Sequence, residues 1–285
     1  MKIARFWERS EMQITSRDGS LFPVTGWGWS ETSREEALQR SRDSVQNIAA
    51  RLTSGKGFPD TYTYGTRPRR EEIVEELTND DGELIAFITR NHYGSLVMNT
   101  AHLMFIDVDV PIQPAGSGLI RFIKGLFGDP PPPPAEAIRT KIANAAASFP
   151  NLTFRVYRTL AGYRIAVVNR RISPTSPEAA DLYQAFGADP LYVKLCANQE
   201  SFRARLTPKH WRCGIQGPPV QFPFETPQAR AMFDGWKANY DRGCGGFAAC
   251  HFIEQIGTAS ALHEHARLLR LHDSKSKADS QLQLA

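Results

Sequence analysis

The spacing of apolar positions changes several times along this chain, and each change predicts an element. Residues 3–15 and 20–29 alternate apolar and polar positions around Asp18-Gly19, the pattern of two strands or a hairpin. Ser33-Arg34-Glu35-Glu36 has the form of a capping box and opens a helix to about Leu52, with Ala37, Leu38, Val45, Ile48, Ala49 and Leu52 at helical spacing. A Gly/Pro/Tyr-rich loop, Gly55 to Gly65, precedes a short predicted helix at 70–77. Asp80-Asp81-Gly82 turns into a strand at 84–90, and His92-Tyr93-Gly94 into another at 95–100. These residues form a predicted N-terminal α+β unit, 1–100.

The next strand, 103–110, is apolar except for two aspartates. Side chains alternate faces along a strand, so Asp107 and Asp109 point one way and Met104, Ile106, Val108 and Val110 the other. Two carboxylates side by side on a rigid strand repel unless a cation neutralises them. Hard divalent cations such as Mg²⁺ and Mn²⁺ bind through one or two carboxylates plus substrate phosphates. The pair therefore predicts a metal-dependent site acting on a phosphorylated substrate; its alternative is a structural pairing with arginines.

Residues 111–134 interrupt the pattern with a short amphipathic run at 119–127 and five prolines, Pro130–Pro134, a stiff spacer predicted to lie over the surface or to meet a protein partner. A helix at 135–148 follows, then strands at 152–159 and 163–169 joined through Ala161-Gly162, a helix or helix pair at 177–198, and a strand from Phe202 to Thr207. Strand, helix, strand, strand, helix, strand is the βαββαβ order of a ferredoxin-like or RRM-like core, here 101–213 with the insertion at 111–134. Residues 214–285 read as a Pro-rich and then mostly helical C-terminal extension. The fold class expected is α+β.

Composition excludes little. The chain has 285 residues, 41% hydrophobic and 22% charged, and a net charge of +4, mildly basic and compatible with an anionic partner. No apolar run is long enough to span a bilayer and the first residues lack a signal-peptide core, so cytoplasmic location without a membrane partner is expected. The four cysteines, Cys196, Cys213, Cys244 and Cys250, form no CxxC pair and do not predict a disulfide framework; His210-x-x-Cys213 and Cys250-His251 leave a structural zinc conceivable. His263-Glu264-His265 and His272-Asp273 read as solvated helix residues.

In a ferredoxin-like sheet, covered by helices on one face, the first and third strands are neighbours and the fourth flanks the first. Asp107 and Asp109 would then sit between Arg164 on one side and Arg203 and Arg205 on the other, with Lys209 just beyond. Carboxylates ringed by arginines suit a metal–triphosphate complex.

Asp-hydrophobic-Asp on the first strand, followed by the hairpin element Thr159-Leu160-Ala161-Gly162-Tyr163-Arg164, resembles the archaeo-eukaryotic primase-like palm domain. The resemblance implies that Asp107 and Asp109 hold a catalytic Mg²⁺ or Mn²⁺ and that Thr159 and Arg164 contact the nucleotide; the strand alternation itself adds Arg203, Arg205 and Lys209 as expected phosphate ligands. Arg164 stands where that family has histidine, and the last strand has no carboxylate to complete the metal site. Asp189, Asp234 and Asp241 are the candidates for a third ligand. Phe202–Lys209 is also similar to a segment shared by a family of bacterial proteins of unassigned function. The expected activity is nucleotidyl or phosphoryl transfer on nucleoside triphosphates or nucleic acid. The alternatives are a non-catalytic RNA- or DNA-binding module, and a metal-dependent nuclease or phosphohydrolase using the same carboxylates.

Overall fold

A computed structural model describes residues 1–15, 19–57, 68–110 and 134–285. Asp18, Arg67, the amphipathic run at 119–127 and prolines 130–133 lie outside the described residues. Mixed helices and antiparallel sheets make the fold α+β, as the periodicity predicts.

The first unit depends on two glycines. Strands β1 (Phe6–Thr15) and β2 (Leu21–Ser30) form an antiparallel hairpin, with Phe6 opposite Ser30 and Thr15 opposite Leu21. Helix α1 (Arg34–Thr53) lies across one face of it, N-capped by the Ser33 hydroxyl, which accepts the Glu36 N–H at 3.1 Å. A Cβ on Gly28 would fall 2.0 Å from the Ala37 carbonyl oxygen, and one on Gly26 would fall 2.7 Å from the Val45 backbone N. Glycine at both positions is what lets the helix backbone rest directly on the strand.

Strands β3 (Glu72–Thr78), β4 (Leu84–Arg90) and β5 (Leu96–Thr100) form an antiparallel sheet whose outer member beyond β5 is β9 (Phe202–Arg205). The expected helix at 70–77 is thus a strand. Ile73 and Leu77 are four apart, which suits a helix, but pairing with β4 overrides that spacing and two register shifts absorb the mismatch.

The second large sheet runs β11-β7-β8-β6, from β6 (Phe105–Asp109), β7 (Phe154–Thr159), β8 (Gly162–Val167) and β11 (Cys250–Ile256). The first and third strands of the predicted core are neighbours, as expected, but the fourth is not hydrogen-bonded to the first. Helix α4 (Pro190–Gln199) intervenes at that edge, following α3 (Pro177–Phe186). The Tyr192 hydroxyl sits 2.9 Å from both the Phe105 and Arg203 carbonyl oxygens, and the Asp189 N–H donates to the Asp107 carbonyl at 3.1 Å. These contacts use the outward groups of β6, so β9 ladders with β5 instead. Residues 72–100 and 202–205 therefore share one sheet across the boundary expected at residue 100.

One face of the second sheet packs on α2 (Pro134–Ala147) and α3 around Ile106, Val156 and Ile165. The other face, expected to be open, is covered by α6 (His263–Ser276). The His272 ring stacks on Phe105 at 5.2 Å and meets Tyr157 edge-on at 5.0 Å, while Arg155 pairs with Asp273 at 2.8 Å. His265 and His272 are buried rather than solvated. The C-terminal segment is helical in α5 (Pro227–Gly243) and α6, but it also supplies β11 and the short strands β10 (Phe247–Ala248) and β12 (Gln283–Leu284). Among the described residues, no helix is long and apolar enough to cross a membrane.

Gly28→Ala is expected to destabilise the fold by ~1–3 kcal/mol or more, since backbone atoms would have to part. Gly235→Ala, on α5 with open space around it, is expected to do the opposite by ~0.5–1 kcal/mol. Thermal denaturation of the two variants reads both signs.

Candidate functional site

Strand β6 pairs with β8 so that Asp107 faces Arg164 and Asp109 faces Gly162. A Cβ at Gly162 would lie 2.0 Å from the Val108 carbonyl oxygen, so the glycine of the hairpin is needed for the two strands to close beside Asp109. The Thr159 hydroxyl accepts the Gly162 N–H at 3.0 Å, which ties Thr159 to the turn.

Arg164 and Asp107 form a two-point ion pair, Nε to Oδ1 at 2.8 Å and Nη2 to Oδ2 at 3.2 Å. The arginine side chain is 3% exposed and the aspartate 33%. The third nitrogen, Nη1, donates to the Arg205 carbonyl at 2.8 Å and lies 3.4 Å from His272 Nε2. Arg164 is therefore a buried cation that takes its counter-charge from Asp107.

Asp109 differs from its neighbour. It is exposed, and its carboxylate makes no hydrogen bond or ion pair with a described residue. Its pKa is raised, first by loss of solvation and then by the negative charges of Asp189 and Asp107; Lys209 and Arg212 offset this only in part. Asp189 stands at this edge because its N–H holds the Asp107 carbonyl, and one of its oxygens caps α4 at Leu191 N, 3.0 Å. Of the three candidates for a further acidic group, only Asp189 comes here. Asp234 and Asp241 lie along α5, paired with Arg230 and Lys237.

Near these carboxylates are three cations, Arg205, Lys209 and Arg212, that form no ion pair with a described residue; Nη1 of both Arg205 and Arg212 is covered yet unbonded. Burial pushes the Arg205 pKa down to about 10, helped by the charges of Arg212 and Arg164. Lys209 is also lowered, by burial and then by Arg205 and Arg212, and Arg212 by burial. Each of the three carries charge that its surroundings do not neutralise. Lys209 lies 5.5 Å from the Tyr93 ring centroid and 5.1 Å from that of Trp211.

Arg212 is a functional candidate missed in the sequence. The turn His210–Cys213 is a 3₁₀ helix with Lys209 as its N-cap, and residues three apart in such a helix eclipse. Lys209-x-x-Arg212 after Pro208 was a legible signal for two cations on one side.

Arg203 is not brought to the aspartates. Its guanidinium pairs with both oxygens of Glu71 at 2.8 and 2.9 Å and donates to Asn99 and Gln199 at 2.8 and 2.6 Å. Both terminal nitrogens are taken up in this buried ion pair, so the expected grouping of Arg203 with Asp107 and Asp109 is not seen. Among the described residues, no three His, Cys, Asp or Glu side chains converge on a point that could hold a metal, and all four cysteines are free thiols. No family model, curated protein or solved structure matches the chain.

The two aspartates should respond oppositely to amidation. A carboxyl whose folded pKa is raised binds its proton more tightly when folded, so its ionisation lowers stability as pH rises through that pKa. Asp109→Asn is expected to stabilise the protein at pH 7, by under ~1 kcal/mol because solvent screens the exposed group. The gain should vanish at pH values low enough to protonate Asp109 in the wild type. Asp107→Asn strips a buried guanidinium of its counter-charge and is expected to cost up to ~3–5 kcal/mol, reduced by the solvent that reaches Asp107. Denaturant titrations at pH 7 and in acid measure both effects.

Proposed function

We propose that this chain is a metal-dependent nucleotidyl or phosphoryl transferase of primase-polymerase-like type, acting on nucleoside triphosphates or nucleic acid at the Asp107–Asp109 end of β6. The observation that carries the reading is the group Arg205, Lys209 and Arg212, three cations without an ion-pair partner among the described residues, two of them with a covered, unbonded Nη1, gathered beside a carboxylate that forms no ion pair either. A covered guanidinium nitrogen with no acceptor is costly, and phosphate oxygens are the acceptors whose geometry suits it.

The residues present fit Mg²⁺ or Mn²⁺ in its substrate-assisted form. Such ions bind through one or two carboxylates plus phosphate oxygens and do not require a closed protein cage. Asp109 would be the principal ligand, and the part of Asp107 left open by Arg164 the second. A cation held there would supply charge neutralisation at the phosphorus undergoing transfer. The protein's own groups do the rest. Arg205, Lys209 and Arg212 bind and orient the phosphates and offset the charge that grows on them during transfer. Arg164 acts through Asp107, fixing its carboxylate, and is a positioning residue.

Incubating the protein with Mg²⁺ or Mn²⁺, labelled nucleoside triphosphates and oligonucleotides tests this. The expected result is metal-dependent release of pyrophosphate with addition of a nucleotide, reduced at least ~100-fold in Asp109→Asn and Arg212→Met, the scale of losing one electrostatic group at a transfer site. Release of phosphate alone, or chain cleavage, would assign the same carboxylates to hydrolysis. No metal-dependent turnover by the folded protein would count against the reading.

A further inference from the structure

The β1–β2 hairpin buries one face and leaves the other half-exposed. Val24, Gly26, Gly28 and Ser30 are buried on the α1 side, while Trp27 and Trp29 alternate with them toward the outside. Across the ladder, Trp7 stands opposite Trp29 and Arg9 opposite Trp27. Arginines lie over both indoles of β2, Arg70 at 4.7 Å from Trp27 and Arg40 at 4.5 Å from Trp29. A strand face so rich in half-exposed tryptophan is costly in water unless something covers it.

A cleft of about 610 Å³ separates this hairpin from the segment Phe222-Pro223-Phe224. Trp7 and Trp27 line one wall, Phe222 and Phe224 the other, and Arg9 and Arg34 reach it from the hairpin side. The volume falls within the ~300–1,000 Å³ usual for ligand sites. Arg34 makes no ion pair with a described residue, whereas Arg9 spans the cleft to Glu225 at 2.9 Å and also holds Glu11 at 2.8 Å. A second cleft of about 330 Å³ continues past Phe222 between Arg70 and His92. The His92 ring lies 3.6 Å from Tyr93, which in turn lies beside Lys209 and Trp211. Aromatic rings and cations thus line a path from the hairpin toward the Lys209 side of the aspartate site.

We propose that the hairpin cleft binds single-stranded nucleic acid, with bases stacked on Trp27, Trp7 and Phe222 and phosphates held by Arg34, Arg70 and Arg9. Flat rings interleaved with guanidinium groups match the stacking and charge that unpaired bases on a phosphate backbone offer. A duplex hides its base faces and could use only the charges. Phosphate would compete with Glu225 for Arg9, so entry of the strand releases the ion pair across the cleft. This site lies apart from the aspartates and does not depend on transfer chemistry there.

Fluorescence anisotropy with labelled homopolymeric DNA and RNA oligonucleotides, on the full chain and without metal, tests the proposal. Binding is expected to favour single strands over duplex and to weaken with salt, at a slope of roughly −0.7 per phosphate contact. Trp27→Ala and Phe222→Ala, one on each wall, are each expected to weaken binding about tenfold or more, and Arg34→Glu to weaken it and flatten the salt slope. Trp27→Ala should leave metal-dependent triphosphate binding unchanged, and oligonucleotide binding should need no metal, so the two sites can fail separately. Equal affinity for duplex, or full affinity in both wall variants with folding verified by circular dichroism, would overturn the proposal, as would no binding at low salt.

Discussion

Arg164 is the group on which the middle of this molecule depends. Its guanidinium joins three elements distant in sequence, through Asp107 on β6, the Arg205 carbonyl on β9 and His272 on α6. A buried cation of this kind is tolerable only while every donor has an acceptor. That requirement fixes the register of β6 against β8, the approach of β9 to the edge of β6, and the docking of α6 over the face that would otherwise be open. The His272 ring closes the enclosure, with Nε2 3.4 Å from Arg164 Nη1 and Nδ1 2.8 Å from Asp273 Oδ1. Burial disfavours its charged form, but its hydrogen bond to Asp273 and the neighbouring Cys250 hold its pKa above the ordinary histidine value.

The same pair sets the two aspartates apart. Asp107 neutralises Arg164 and keeps part of its carboxylate open to solvent. Asp109, two residues on, has lost solvation and gained negative neighbours without gaining a partner. The cations opposite it are in the mirror situation: Arg205, Lys209 and Arg212 are all held below their ordinary pKa values by burial and, for the first two, by neighbouring guanidinium groups. These unneutralised groups of opposite sign are the arrangement on which the proposed metal–phosphate site rests.

Much of this was legible in the chain. Alternation in 105–109 and 162–167 put Asp107 and Arg164 on one face, and the capping box at Ser33 and the helix pair at 177–199 follow their residue patterns. The misses have physical causes. Residues 72–78 carry apolar residues at helical spacing and became a strand because β4 offered a ladder. Strand β11 has a register shift between Phe252 and Glu254 that blurs its alternation, so the outer strand of the second sheet was not foreseen. Parity put Arg203 and Arg205 on the same side, but it could not reveal Glu71, 132 positions away, waiting for one of them. Tertiary partners at such separations leave no local trace. Arg212 was different, because a turn with three-residue periodicity was readable after Pro208.

The proposed site holds a metal–phosphate group between Asp109 and the cations Arg205, Lys209 and Arg212. Isothermal titration of the full chain with a non-hydrolysable nucleoside triphosphate, with and without Mg²⁺, tests this. Binding is expected to strengthen at least ~10-fold with the metal, a gain of about 1.4 kcal/mol, with the metal effect abolished in Asp109→Asn and overall affinity reduced in Arg212→Met. Binding of equal strength with and without Mg²⁺, or no binding to a folded protein, would contradict it and leave the cation cluster without the role assigned here.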